Sequence, residues 1–134
     1  TEATFSIEDA AVTAGSDVSI PVNLEGASVY SDGVAGYEFT VTYDADKLEF
    51  KGFENGSGFM GDYNETSSGT IKFSYYGDTP ITANALLGSL TFTAKAGQSG
   101  GAEVTLVVDE VASPDAEAYD SGLSKGSSAT VTIS

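Results

Sequence analysis

The chain has 134 residues, 20 of them acidic and 5 basic for a formal net charge of −15, with no cysteine, histidine or tryptophan. Residues 1–134 make one domain's worth of chain, enough to bury a core without covalent staples. The composition excludes disulfides, thiol chemistry and the Ser-His and Cys-His nucleophile pairs, and the acid excess repels nucleic acid and anionic membranes, whose phosphates need clustered Lys and Arg.

No apolar run approaches the ~20 residues of a membrane helix. With no signal peptide ahead of Thr1, the chain is expected to be a mature or excised module. Gly, Thr, Ser and Val are abundant and helix formers scarce, which is a β composition. Phe5 and Ile7 alternate with polar neighbours, and Thr13 to Ser16 read as a turn. Over residues 17–24, Val18, Ile20, Val22 and Leu24 share one face, so that face is buried. Pro21 lacks an N–H, which predicts an edge position or a bulge.

Over residues 37–44, Tyr37, Phe39, Val41 and Tyr43 point one way while Glu38, Thr40 and Thr42 point the other. Leu48, Phe50 and Phe53 follow a turn at residues 43–46. Residues 54–69, polar and rich in glycine, read as a long loop with room for a short strand around Phe59 and Met60. Ile71, Phe73 and Tyr75 then face inward against outward Lys72, Ser74 and Tyr76, and residues 77–80 are expected to turn the chain. A strand around Leu87 to Ala94 follows. Residues 103–111 are more continuously apolar, as in a strand covered on both faces or interrupted by a bulge. Residues 113–125 read as an acidic loop, and Ala129, Val131 and Ile133 form the last strand. Eight or nine short strands at this spacing predict an all-β sandwich.

Chemistry finds little purchase. Glycosidases need two carboxyl groups roughly 5–9.5 Å apart, but no acid sits in an apolar, aromatic context that would raise its pKa. Calcium has oxygen ligands on offer at Asp109, Glu110, Asp115, Glu117 and Asp120, and in smaller groups at Asp44/Asp46 and Asp62/Asn64/Glu65. None has EF-hand spacing, and solvated acidic loops explain them, so no metal site is assigned. A sugar platform would need exposed aromatic rings, and only Tyr76, with Tyr30, Tyr63 and Tyr119, falls off the core faces. What remains is the flat outer face carrying Glu38, Thr40, Thr42, Lys72, Ser74 and Tyr76. It suits a protein partner, since Tyr offers a large rigid area with a polar tip.

Four stretches resemble the cohesin family, the receptor modules of cellulosomal scaffoldins. VTAGSDVSIPVNL, from Val12 to Leu24, is similar to the family's opening strand. GVAGYEFTVTYDADKLEF, from Gly33 to Phe50, resembles its signature almost position for position. TIKFSYYGD, from Thr70 to Asp78, and LGSLTFTAK, from Leu87 to Lys95, are similar to two later strands in the right order. The resemblance implies a nine-stranded jelly-roll sandwich, monomeric and non-catalytic, that captures a dockerin module in an extracellular, polysaccharide-degrading, cellulosome-like complex. It would be secreted or attached to the cell surface. Calcium would belong to the dockerin, with no cofactor on this chain. Partner contacts are implied at Glu38, Thr40, Thr42, Ser74, Tyr76, Gly77 and Asp78, bordered by Ala112 and Ser113. Gly36 departs from the Asn of many relatives, which bears on dockerin class, and Asp44-Ala45 replaces their Asp-Pro. A carbohydrate-binding module or a calcium-stiffened adhesin or spacer domain is the alternative.

Overall fold

The computed structural model describes residues 3–56, 58–115, 117–119 and 126–134. Two sheets face each other as a sandwich. One contains β1 (Thr4–Ser6), β3 (Asp17–Glu25), β8 (Ala85–Ala94) and β5 (Leu48–Asn55), in the order β1-β3-β8-β5. The other contains β2 (Ala10–Val12), β10 (Gly126–Ile133), β9 (Gly100–Ala112), β4 (Val34–Tyr43), β7 (Thr70–Ile81) and β6 (Met60–Ser67), in the order β2-β10-β9-β4-β7-β6. The chain changes sheet at every connection except β6–β7 and β9–β10, as expected of a jelly roll.

Ten strands replace the expected nine because the first breaks between Ser6 and Ala10. Its halves pair in different sheets: β1 antiparallel to β3, and β2 parallel to β10. Pro21 sits as anticipated. β1 covers only Asn23 to Glu25 of β3, so Pro21 is locally at an edge, and a bulge follows between Val22 and Asn23.

Two segments depart from the expectation. Residues 54–69 are not mainly loop, because β6 is an eight-residue edge strand paired along β7. Its apolar signal is weak, since only Tyr63 turns inward, against Phe53 and Phe73. Residues 77–80 do not turn the chain either. They stay extended within β7, which leaves β4 after Tyr76 and rejoins it at Ile81. Gly77 permits this bulge: a methyl group there would run into the Phe59 ring.

The core is an aromatic seam between the sheets. Phe5 of β1 meets Tyr37 with ring centroids 5.6 Å apart, and Phe53 of β5 meets Phe73 at 5.0 Å. Phe92 of β8 meets Tyr43 at 5.1 Å. On the inner side of the six-stranded sheet, Phe39 and Phe73 stack at 4.6 Å. These contacts hold β4 and β7 flat, so Glu38, Thr40, Thr42, Lys72, Ser74 and Tyr76 face outward together.

Gly88, buried in the middle of β8, leaves room for this seam, because a Cβ there would collide with the Phe53 ring and the Glu54 carbonyl. Gly88→Ala is expected to destabilise by about 1–3 kcal/mol through overpacking. Urea unfolding checks this as a lower midpoint at unchanged slope.

Candidate functional site

The register of the six-stranded sheet arranges its outer face in rows. Met60, Tyr76, Gly36 and Ala112 lie opposite one another across β6, β7, β4 and β9. The next row is Asp62, Ser74, Glu38 and Glu110, and the third is Asn64, Lys72, Thr40 and Val107. Thr70, Thr42 and Thr105 form a fourth. Of the expected contact residues, Glu38, Thr40, Thr42, Ser74 and Tyr76 are thus brought together on the two central strands, and Ala112 ends the first row.

The remaining three sit differently. Gly77 and Asp78 lie in the β7 bulge beside Phe59 and Met60 rather than in a turn. Ser113 is buried, and its hydroxyl accepts the backbone N–H groups of Asp115 (3.3 Å) and Glu117 (3.2 Å). It organises the loop bordering Ala112 and is buried there rather than presented on the face.

Several residues of the face were not assigned to it from sequence. Met60, Asp62 and Asn64 come from β6, whose polar residues resemble a loop. Val107 is 45% exposed although it lies in an apolar run. Asp109 is the extra residue of a bulge: Glu38 pairs with Glu110, and Phe39 with Val108. The bulge lets both Asp109 and Glu110 reach solvent. The signal was a pair of acids interrupting the alternation. Asp109 Oδ2 accepts a 2.6 Å hydrogen bond from the Thr40 hydroxyl, tying β9 to β4 across the face.

The exposed aromatics reduce to one. Tyr76 is 62% exposed, whereas Tyr30 is buried and stacks on Tyr119 with centroids 3.8 Å apart. The Tyr119 hydroxyl donates to the Gly33 carbonyl at 2.5 Å, and Tyr63 is packed among Phe50, Phe53 and Phe73. A planar strip of rings for sugar stacking is therefore not assembled from these four. Among the described residues, no three carboxylates converge as a metal site; Asp120 lies outside the described residues.

The acidic row is electrostatically uneasy. Partial desolvation, a hydrogen bond shared with Glu110, and the charges of Glu110 and Asp109 hold the Glu38 carboxyl above its usual range, offset in part by Lys72. A raised folded-state pKa contributes stability that is fully present below the unfolded value and lost as pH rises through the folded one. Glu38→Gln should therefore raise the melting temperature at pH 7. The gain should vanish below about pH 4.5, the ordinary glutamate value. Thermal melts of both proteins across this range check it.

The cohesin domain model matches residues 3–133. Among solved structures, the sixth cohesin of Acetivibrio cellulolyticus scaffoldin B, in complex with a mutant Cel5 dockerin, superimposes with a TM-score of 0.80 at 24% identity, covering 100% of both chains. A non-cellulosomal cohesin from the archaeon Archaeoglobus fulgidus gives 0.81 at 21% identity, covering 100% of this chain and 92% of that one. The cohesin of the Clostridium thermocellum OlpA–Doc918 complex gives 0.81 at 15%, covering 100% of both. No curated protein sequence matches. A family match over nearly the whole length, on a sandwich whose order and outer face were already legible, places this chain in the cohesin family.

Proposed function

We propose that this chain is a non-catalytic receptor that captures a dockerin module on the outer face of its six-stranded sheet, and so holds the dockerin-bearing protein in an extracellular, polysaccharide-degrading complex. Membership of the cohesin family supports this, as do two structural relatives solved with dockerins bound. The Archaeoglobus relative is described as non-cellulosomal, so the fold alone does not dictate the setting.

The observation that carries the proposal is the placement of apolar surface. Of the five large exposed apolar side chains among the described residues, Leu86 lies on the opposite sheet and Val29 in a short helical turn, while Met60 (67% exposed), Tyr76 (62%) and Val107 (45%) stand together on this face. The core makes no use of them there. Between them lie Ser74 and the Thr40–Asp109 pair, with Thr42 one row beyond, able to hydrogen-bond a partner. Apolar anchors inside a polar surround are the anatomy of a protein interface. Hydrolysis is not suggested by Glu38 and Glu110, which are cross-strand neighbours on one open surface. Glycosidases place two carboxyls on either side of a scissile bond. Calcium is assigned to the dockerin and no metal to this chain.

Titration calorimetry against a panel of dockerins should give sub-micromolar binding to at least one in calcium and none in EDTA. Tyr76→Ala should weaken that binding about tenfold or more, as should Glu38→Lys. Neither should lower the melting temperature. Full affinity in both variants would move the site off this face, and retention on a polysaccharide with no dockerin bound would favour a carbohydrate-binding module.

A further inference from the structure

Gly36 is buried beside the β4–β7 bulge, yet neither its backbone conformation nor the space around it demands glycine. It lies in β4, between β7 and β9, where a glycine weakens the strand. Its φ is not in the left-handed region. A Cβ would meet only the Tyr75 carbonyl at 3.4 Å, the Ala112 methyl at 3.7 Å and Tyr76 Cβ at 3.8 Å, all ordinary contacts. Gly77 and Gly61 differ, since a methyl there would strike the Phe59 ring or the Ser74 carbonyl. Glycine in a strand marks a bulge or a close approach from outside; the adjoining bulge does not itself require glycine here, which leaves close approach by a partner.

The missing side chain leaves a hollow of about 160 Å³ between Tyr76 and Ala112, with Glu38, Ser74 and Glu110 at its edge. Drug-sized ligands occupy roughly 300–1,000 Å³, so this space suits a single side chain. Its walls are of two kinds: the Tyr76 ring and the Ala112 methyl, then two carboxylates one row along the sheet. Among the described residues, Lys72 is the cation of this face, and it lies in the row beyond, opposite Thr40. Lys47 and Lys95 are engaged elsewhere, donating to backbone carbonyls of Ser99, Gly101 and Ala45.

We propose that the Gly36 hollow is a specificity pocket for one Lys or Arg side chain of the dockerin, its apolar stem laid against Tyr76 and Ala112 and its charge at Glu38 and Glu110. This rests on dockerin capture by this face. Long cationic side chains bury their stems while keeping the head polar, and they favour aromatic neighbours. Charge complementarity selects this occupant over a purely aliphatic one. Glu38 is held above its usual range by partial desolvation and by the Glu110 and Asp109 charges, which Lys72 offsets only in part, so a partner's cation would be favoured there.

The test pairs Gly36→Val and Gly36→Ala with a dockerin that binds the wild-type chain and with that dockerin's surface Lys→Met and Arg→Met variants. Gly36→Ala adds a Cβ that meets only ordinary contacts, so its melting temperature should not fall. Affinity should drop progressively, by about tenfold or more for Gly36→Val. One dockerin variant should lose affinity for wild type but lose little more against Gly36→Val, which is the coupling expected of direct neighbours. Full affinity in Gly36→Val, or purely additive losses for every cationic position, would overturn the pocket while leaving dockerin capture intact. Silence of the wild-type chain across the dockerin panel would instead remove dockerin capture itself, and the pocket with it.

Discussion

The face depends on a two-residue rhythm in β4 and β7 clamped from behind by aromatic rings. Tyr37, Phe39, Phe73 and Tyr75 turn inward and pack on one another and on Phe5 and Phe53 from the opposite sheet. Because side chains alternate strictly along a strand, burying these four sets Glu38, Thr40, Ser74 and Tyr76 outward. A one-residue slip would bury a carboxylate and a lysine and expose the rings, so the core enforces the register of the face. The partner surface is in this sense the back of the hydrophobic core.

On that enforced plane, two irregularities give the face its character. The Asp109 bulge in β9 adds a carboxylate and ties it to Thr40, so three acids gather near one corner. The Gly77–Pro80 bulge in β7 draws the strand away from β4 just past Tyr76, leaving that ring standing between Met60 and the bare backbone of Gly36. One end of the face is thus apolar with a hollow, and the adjoining row is acidic. With 20 acids against 5 bases in the chain, little internal charge is available to neutralise that row. The ion pair of Lys51 with Glu49, at 3.8 Å, is exposed and belongs to the other sheet.

The sequence and the structure agree where period-two patterning is strong. β3, β4, β7 and β10 carry alternating apolar residues, and their inner and outer faces were readable from that alone. β6 was not readable, because an edge strand with one inward ring offers too little apolar signal, and its glycine and acids mimic a loop. Residues 77–80 hold the Gly and Pro of a turn, yet here Gly77 makes room for the Phe59 ring and Pro80 falls where β7 has left β4 and no ladder N–H is needed. Ser113 reads as a surface polar residue, but its short side chain serves its own loop. Tyr30, Tyr63 and Tyr119 lie off the alternating pattern and still find ring partners, which only tertiary packing reveals. For the site, the central pairs from β4 and β7 were legible. Met60, Val107 and the hollow between Tyr76 and Ala112 required knowing which strands are neighbours.

Amide chemical shifts of the isotopically labelled chain, followed through titration with a bound dockerin, test most directly that the outer face of the six-stranded sheet is the receptor surface. The largest changes are expected at residues 36–42, 72–78 and 107–112, with the outer face of β3 and β8 unmoved. Changes concentrated on Ser19, Asn23, Ser89 and Thr91, with Gly36 and Tyr76 silent, would contradict it.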